Sequence, residues 1–283
     1  MIKITKISVI ALIAMCLFSC KKENIEDIEE SFTFQYSGNY CEFGICADDI
    51  TIYWGDGKTS DITMKGIGDF LKHSYDSVDN SLHTIHIKGT NITYLEFSLY
   101  SQDYNLRDID LSECLKAIDV SKLINLSVLN ISGNAIQNLN LSKNTNLSWL
   151  NINHSAIQNL DLSKNMDLEY IYCGNNNNLK KLIFSKSSKY WEVVILNNAN
   201  LTEVVMPKLE SCPNLVYICF NNNNLSTSVI NHIFENIPKY ELGYYVTGFM
   251  GELYYGNIHV QGNVGAADCN AAIAENKGWI VRK

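Results

Sequence analysis

The side chains best suited to acid–base work in this 283-residue chain are six histidines, His73, His83, His86, His154, His232 and His259, and they are scattered along it. Nucleophilic catalysis needs a nucleophile, a base and an orienting group held together, yet the sequence contains no GxSxG elbow and no catalytic-cysteine signature. His154 and Ser155 are neighbours in sequence but should face different ways where a strand ends, which argues against a dyad. No CxxC pair, HExxH helix or His/Cys cluster with zinc-ligand spacing occurs. Asp56, between Gly55 and Gly57, reads as a tight Asx-type turn, because one carboxylate falls far short of the roughly six to eight oxygens that calcium takes. The expectation is a non-enzymatic chain with no catalytic residue, no metal and no cofactor.

What remains is recognition by a surface, and here spacing is informative. The stretches AIQNLNLSKN (135–144) and AIQNLDLSKN (156–165) differ at one position and lie 21 residues apart. Aligned on a leading apolar residue, units start at Leu82, Leu106, Leu126, Leu147, Leu168, Trp191 and Leu215, 20 to 24 residues apart. Each carries apolar residues three and five positions on, and Cys114, Asn134, Ser155, Asn176 or Asn223 stands at the eighth. A short strand alternates its side chains, so the third and fifth offsets point inward while the second, fourth and sixth point out. Burying each inward aliphatic contributes roughly 1.5–3 kcal/mol, but only when a neighbouring unit covers it, so the units must stack into a parallel sheet. The eighth residue sits where the chain leaves the strand, and its amide can satisfy backbone groups that the turn would bury. A second apolar set (Ile136/Leu139/Leu141, Ile157/Leu160/Leu162, Leu179/Leu182/Phe184, Leu201/Val204/Met206) forms a back wall too short for helix, extended or 3₁₀.

The outward offsets then define the candidate ligand-binding face. They place Trp149, Asn151, Tyr170, Tyr172, Val193, Ile195 and Tyr217 side by side in solvent, with Thr84, His86 and Lys88 at the start of the stack. A contiguous exposed apolar patch usually marks a partner. Flat rings beside amides suit a sugar face or an extended peptide.

The LxxLxLxx(N/C) pattern, recurring in register, resembles leucine-rich repeats, and the 21-residue turns with LSKN are similar to the internalin-like repeats of Bacteroidetes surface proteins. WGDG followed by His73-Ser74-Tyr75 and an alternating strand resembles the PKD-like immunoglobulin fold. TSVINHIFENIP (227–238) has the spacing of an amphipathic helix stopped by Pro238, and 256–281 reads strand, Gly-rich turn, short helix, Gly278 stop and final strand, similar to the C-terminal cap of the same proteins. The resemblances imply a leucine-rich-repeat solenoid of parallel β-sheet with little helix, an N-terminal antiparallel β-sandwich cap and a small α+β C-terminal cap. The expected divisions are 31–81 for the PKD-like cap, 82–225 for the repeats and 226–283 for the C-terminal cap.

Upstream, Lys3 and Lys6 precede an apolar run, Ile7 to Phe18, shorter than the roughly 20 residues that span a bilayer, so 1–19 reads as a signal peptide. The run closes on Leu17-Phe18-Ser19-Cys20, which resembles a lipoprotein lipobox and implies lipidation of Cys20 at the outer membrane, with the acidic stretch 20–30 as a solvated tether. Loss of Lys3 and Lys6 takes the formal net charge from −8 to −10, and no Lys/Arg cluster is present, which argues against a nucleic-acid partner. The expected partners are a protein or glycan ligand, and the membrane through the lipid alone. Seven cysteines remain after Cys16 leaves and Cys20 is acylated, and an odd number cannot pair fully; Cys41 and Cys46, in an expected loop, are the candidate local disulfide. Asp76-Ser77-Val78 resembles the acceptor triplet for Bacteroidetes O-glycosylation at Ser77.

Overall fold

The computed structural model describes residues 29–38, 40–63, 69–76, 81–97, 115–209, 211–240, 246–247, 253–254 and 256–283. Cys20 and its lipobox, Ser77, Cys114 and the Leu106 unit lie outside the described residues.

Alternating stretches open the chain as eight strands: β1 (Glu29–Ser37), β2 (Tyr40–Cys46), β3 (Asp49–Tyr53), β4 (Thr59–Thr63), β5 (Asp69–Ser74), β6 (Leu82–Thr90), β7 (Tyr94–Glu96) and β8 (Leu115–Asp119). One antiparallel sheet runs β4-β3-β6-β1-β8, while β5, β2 and β7 end a longer sheet. Alternation leaves one apolar face per strand, and rings from both sheets meet in the core. Phe34 of β1 lies 5.4 Å from Phe43 of β2 and 4.7 Å from Phe97 after β7.

Beyond β8 the strands shorten to three residues: β9 (Val128–Asn130), β10 (Trp149–Asn151), β11 (Asn159–Asp161), β12 (Tyr170–Tyr172), β13 (Lys181–Ile183), β14 (Glu192–Val194), β15 (Glu203–Val205) and β16 (Tyr217–Cys219). Then come α1 (Thr227–Asn236), the pair β17 (Val246–Thr247) and β18 (Leu253–Tyr254), β19 (Asn257–His259), α2 (Ala272–Glu275) and β20 (Ile280–Arg282). The chain winds a β-solenoid of about six turns with little helix. Strands β7, β9, β10, β12, β14, β16, β19 and β20 pair in parallel, and Leu95, Leu129, Leu150, Ile171, Val193, Ile218 and Ile258 stand in one aligned, buried file. On the back, β11, β13 and β15 form a parallel sheet that aligns Leu160, Leu182 and Val204, so the back wall is extended here. Ser226 caps α1, its Oγ accepting from Val229 N–H, and Ile230, Ile233 and Phe234 are the helix's buried side. Lys277 Nζ donates to the carbonyls of Phe234, Glu235 and Ile237 at 2.7–3.0 Å, a cation on the helix end where carbonyls are left over.

Two asparagine columns tie the turns. The inner one, Asn134, Ser155, Asn176, Asn198, Asn223 and Asn263, is buried. Asn176 Oδ1 accepts from Ser155 N–H, Asn198 Oδ1 from Asn176 N–H and Asn223 Oδ1 from Asn198 N–H, at 2.6–2.9 Å. One residue earlier runs an edge column, Gly133, His154, Asn175, Asn197, Asn222 and Gly262, all at positive φ. There Asn222 Nδ2 donates to Asn197 Oδ1, Asn197 Nδ2 to Asn175 Oδ1 and Asn175 Nδ2 to His154 Nε2, at 2.9–3.1 Å. Glycine ends the file because a Cβ on Gly262 would sit 2.0 Å from Asn222 Oδ1.

Two sequence expectations fail at the start of the stack. The unit at Leu82 is β6, which lies between β1 and β3 with Ile87 paired to Phe32 and Ile52; an ordinary alternating strand also places apolar residues three and five after a leucine. Thr84, His86 and Lys88 therefore belong to a different sheet, where His86 Nδ1 meets Thr33 Oγ1 at 3.0 Å. The strand beside β9 is β7, so Leu95 is the residue paired with Leu129 there. The sheet also begins at Glu29, inside the expected tether, and the Glu30 carboxylate is buried, accepting from Ile92 N–H at 2.5 Å and from Asn125 Nδ2 at 3.3 Å.

Candidate ligand-binding face

Parallel register sets two rows of outward side chains across the repeat sheet. One reads Tyr94, Val128, Trp149, Tyr170, Glu192, Tyr217 and Asn257; the other reads Glu96, Asn130, Asn151, Tyr172, Val194, Cys219 and His259. Tyr94, Val128, Trp149, Tyr172, Val194 and Cys219 form an apolar cluster distinct from the core, each 1–7 % exposed, with Cys46, Tyr170, Leu196 and Tyr217 half-buried around it. Trp149 and Tyr172 have ring centroids 5.7 Å apart, and Tyr217 and His259 5.2 Å. At the β7 end Tyr94 Oη donates to the Glu96 carboxylate, which also accepts from Asn130 Nδ2 at 2.9 Å. Burial, and then the negative Glu96 beside it, pushes the Tyr94 phenol well above its ordinary range, so it stays a donor. Asn151 Oδ1 accepts from Asn153 N–H at 3.1 Å, and Asn153 Oδ1 from Gly174 N–H at 2.5 Å, which fixes the polar margin of the face.

The structure brings Trp149, Asn151, Tyr170, Tyr172 and Tyr217 onto this face, but Trp149 and Tyr172 are closed where the sequence reading had them in solvent. Val193 and Ile195 are corrected: both are in the buried core, and Glu192, Val194 and Leu196 take the outward places. The unit starts at Tyr190, not Trp191, and a one-residue slip turns every side chain of a strand to the other face. The overlooked signal is Asn198, eight residues after Tyr190. Tyr94 and Cys46 were also missed, although Ile92, Leu95 and Phe97 carry the repeat offsets.

Several other reactive groups among the described residues have structural partners. Cys41 and Cys46 are not joined by a disulfide: both lie on β2, five residues apart, so they face opposite sides about 16 Å apart, beyond the roughly 7 Å a bridge can span. Burial pushes the Cys173 and Cys212 thiols up to about 12 and 11, far from nucleophilic thiolates. Ser155 Oγ donates to Ile131 O at 3.4 Å while His154 Nε2 accepts from Asn175, so the two do not form a dyad. In the WGDG turn Asp56 Oδ1 accepts from Lys58 N–H at 3.0 Å, the expected Asx geometry, and Oδ2 accepts from His73 Nε2 at 2.9 Å. Burial alone would raise that carboxyl; the His73 and Lys58 hydrogen bonds outweigh it and hold it below its ordinary value. Trp54 stacks on His73 at 4.4 Å, and Tyr75 on His83 at 3.5 Å, so this imidazole cluster braces the turn. Among the described residues no group of three His, Cys, Asp or Glu is placed to hold a metal ion. No protein-family model matches the chain, and no curated protein does.

Proposed function

We propose that this chain is a non-catalytic cell-surface recognition protein that binds a host or microbial protein or glycan through the outward face of its repeat sheet. On this reading the solenoid is of the leucine-rich-repeat type, the N-terminal sheets are a PKD-like β-sandwich and lipid on Cys20 holds the chain at the outer membrane. The observation that carries it is the second apolar file. The inward file lines the core, and on the other side of the same strands Tyr94, Trp149 and Tyr172 build a separate apolar cluster that leaves Tyr170 and Tyr217 partly exposed, the ring surface a partner can reach. Tyr170 on β12 and Tyr217 on β16 are half-buried, whereas Glu192 between them and Val194 and Cys219 beside them are closed. A tyrosine hydroxyl both donates and accepts, which suits the hydroxyl and amide groups that glycans and peptides supply.

A second reading, a structural or assembly component of an outer-membrane nutrient-uptake system, draws support from the closure of Trp149 and Tyr172, which leaves less ring surface than a stacking platform uses. A glycan array and a pull-down from membrane extracts, run with the wild type and a Tyr170→Ala/Tyr217→Ala variant, separate them. Sugar or soluble-protein binding lost in a variant of unchanged Tm is the expected result. A single co-purifying membrane protein without sugar binding favours the assembly role, and binding indifferent to the variant removes the face from consideration.

A further inference from the structure

The two near-identical decapeptides end on Asn144 and Asn165, and both side chains are fully buried. A side-chain amide carries two donor hydrogens and one acceptor oxygen. Asn144 Nδ2 donates to Val120 O and Leu123 O, both at 2.8 Å; Asn165 Nδ2 donates to Leu141 O at 3.0 Å and Asn144 O at 2.8 Å. Both hydrogens of each amide are thus spent on carbonyls of the preceding turn. Exchanging nitrogen and oxygen would set oxygen against oxygen, so the orientation is fixed. That leaves Asn144 Oδ1 and Asn165 Oδ1 enclosed with no donor among the described residues.

We propose that each of these oxygens is the anchor of a buried structural water, one per turn, bound inside the solenoid. Enclosed polar groups without a protein partner are the usual seats of internal waters, because the lost hydrogen bond costs more than holding one molecule in place. Water fits better than a cation: the carbonyls that the two amides reach already accept their hydrogens, and no carboxylate belongs to the column. The next two turns supply an internal control. Their equivalent places hold Ser187 and Cys212; Ser187 Oγ donates to Leu168 O at 2.8 Å and accepts from Lys189 N–H at 3.0 Å, and Cys212 Sγ donates to Ser187 O at 3.1 Å. A hydroxyl or thiol there has no orphaned oxygen to fill, so the waters belong to the asparagine turns alone.

A crystal structure fine enough to place solvent, together with water-to-amide cross-relaxation NMR on the full chain, tests this. Density is expected within hydrogen-bonding distance of each Oδ1, with none beside Ser187 or Cys212. Asn165→Ser should lose one long-lived water, and Asn144→Ser/Asn165→Ser both. A protein donor or a cation at Oδ1, empty density there, or an unchanged number of long-lived waters in the double variant overturns the proposal; if the double variant does not fold, the wild-type density decides.

Discussion

The inner and edge columns place the same residue type one position apart in successive turns, and the backbone gives it two different tasks. Inside, Asn176, Asn198 and Asn223 replace water for backbone groups that the turn has hidden. On the edge, Asn175, Asn197 and Asn222 lie at φ of 55–58°, a left-handed conformation that asparagine tolerates better than most residues, and their amides bond to one another within reach of solvent. The inner column is chosen for hydrogen-bond valence and the edge column for backbone conformation. What a repeat position demands is therefore not readable from residue type alone.

The largest effect should come from the inner column. Asn198→Ala removes the acceptor of Asn176 N–H and the donor to Cys173 O, leaving two buried backbone groups unpaired. A loss of about 2–6 kcal/mol is expected, at about 1–3 kcal/mol per orphaned group. Urea denaturation should show a lower midpoint at unchanged slope. A midpoint no lower than that of an edge variant would erase the distinction between the columns.

The edge column should respond to backbone conformation. Asn175→Ala keeps a Cβ in left-handed backbone without the amide that makes asparagine tolerate it and should cost about 1 kcal/mol, whereas Asn175→Gly, which cuts the same side-chain bonds but has no Cβ, should recover most of it. Thermal melts of the pair sharpen the comparison: equal losses would show that the amide ladder, and not φ, selects asparagine there.

The same contrast shows what was legible in the sequence. The inward file and the inner column follow from a 21-residue period, since apolar residues three and five positions after a leader must share a face. The pattern is silent on direction, and so β6, an antiparallel strand, passes for a repeat. It is also silent on register wherever two apolar residues adjoin, as Tyr190 and Trp191 do, and there one step inverts the predicted face. The second tie between turns, in which Asn144 and Asn165 donate to the preceding turn, is written plainly in the repeated LSKN but needs coordinates to tell a buried amide from a turn residue.

Charge follows the inside–outside division as well. Burial raises the Glu30 carboxyl above its ordinary value despite the Ile92 and Asn125 hydrogen bonds. A carboxyl raised by folding binds its proton more tightly in the native state, so its contribution is full below the unfolded pKa and is lost as pH rises through the folded one. Glu30→Gln keeps an acceptor for Ile92 N–H without the buried charge and should raise stability near neutral pH by on the order of 1 kcal/mol. Midpoints of wild type and variant should converge in acid. A variant less stable at every pH would mean that the charge itself holds the β1 junction.

The smallest expected effect is also the one with the opposite sign. The single difference between the duplicated decapeptides is Asn140 against Asp161, and both oxygens cap the same turn: Asn140 Oδ1 accepts from Ser142 N–H at 3.0 Å and Asp161 Oδ1 from Ser163 N–H at 2.8 Å. Hydrogen bonds from the Ser163 backbone and then its hydroxyl hold the Asp161 carboxyl below its ordinary value. Its contribution is present above the unfolded pKa and is lost as pH falls through the depressed folded one. Because the group is exposed, Asp161→Asn should change neutral stability by less than about 0.5 kcal/mol. Between wild type and this variant the midpoint difference should shift in the variant's favour on acidification, whereas Glu30→Gln loses its advantage over the same range. Parallel pH series on the two variants read both slopes, and slopes of like sign would show that burial does not divide these carboxylates.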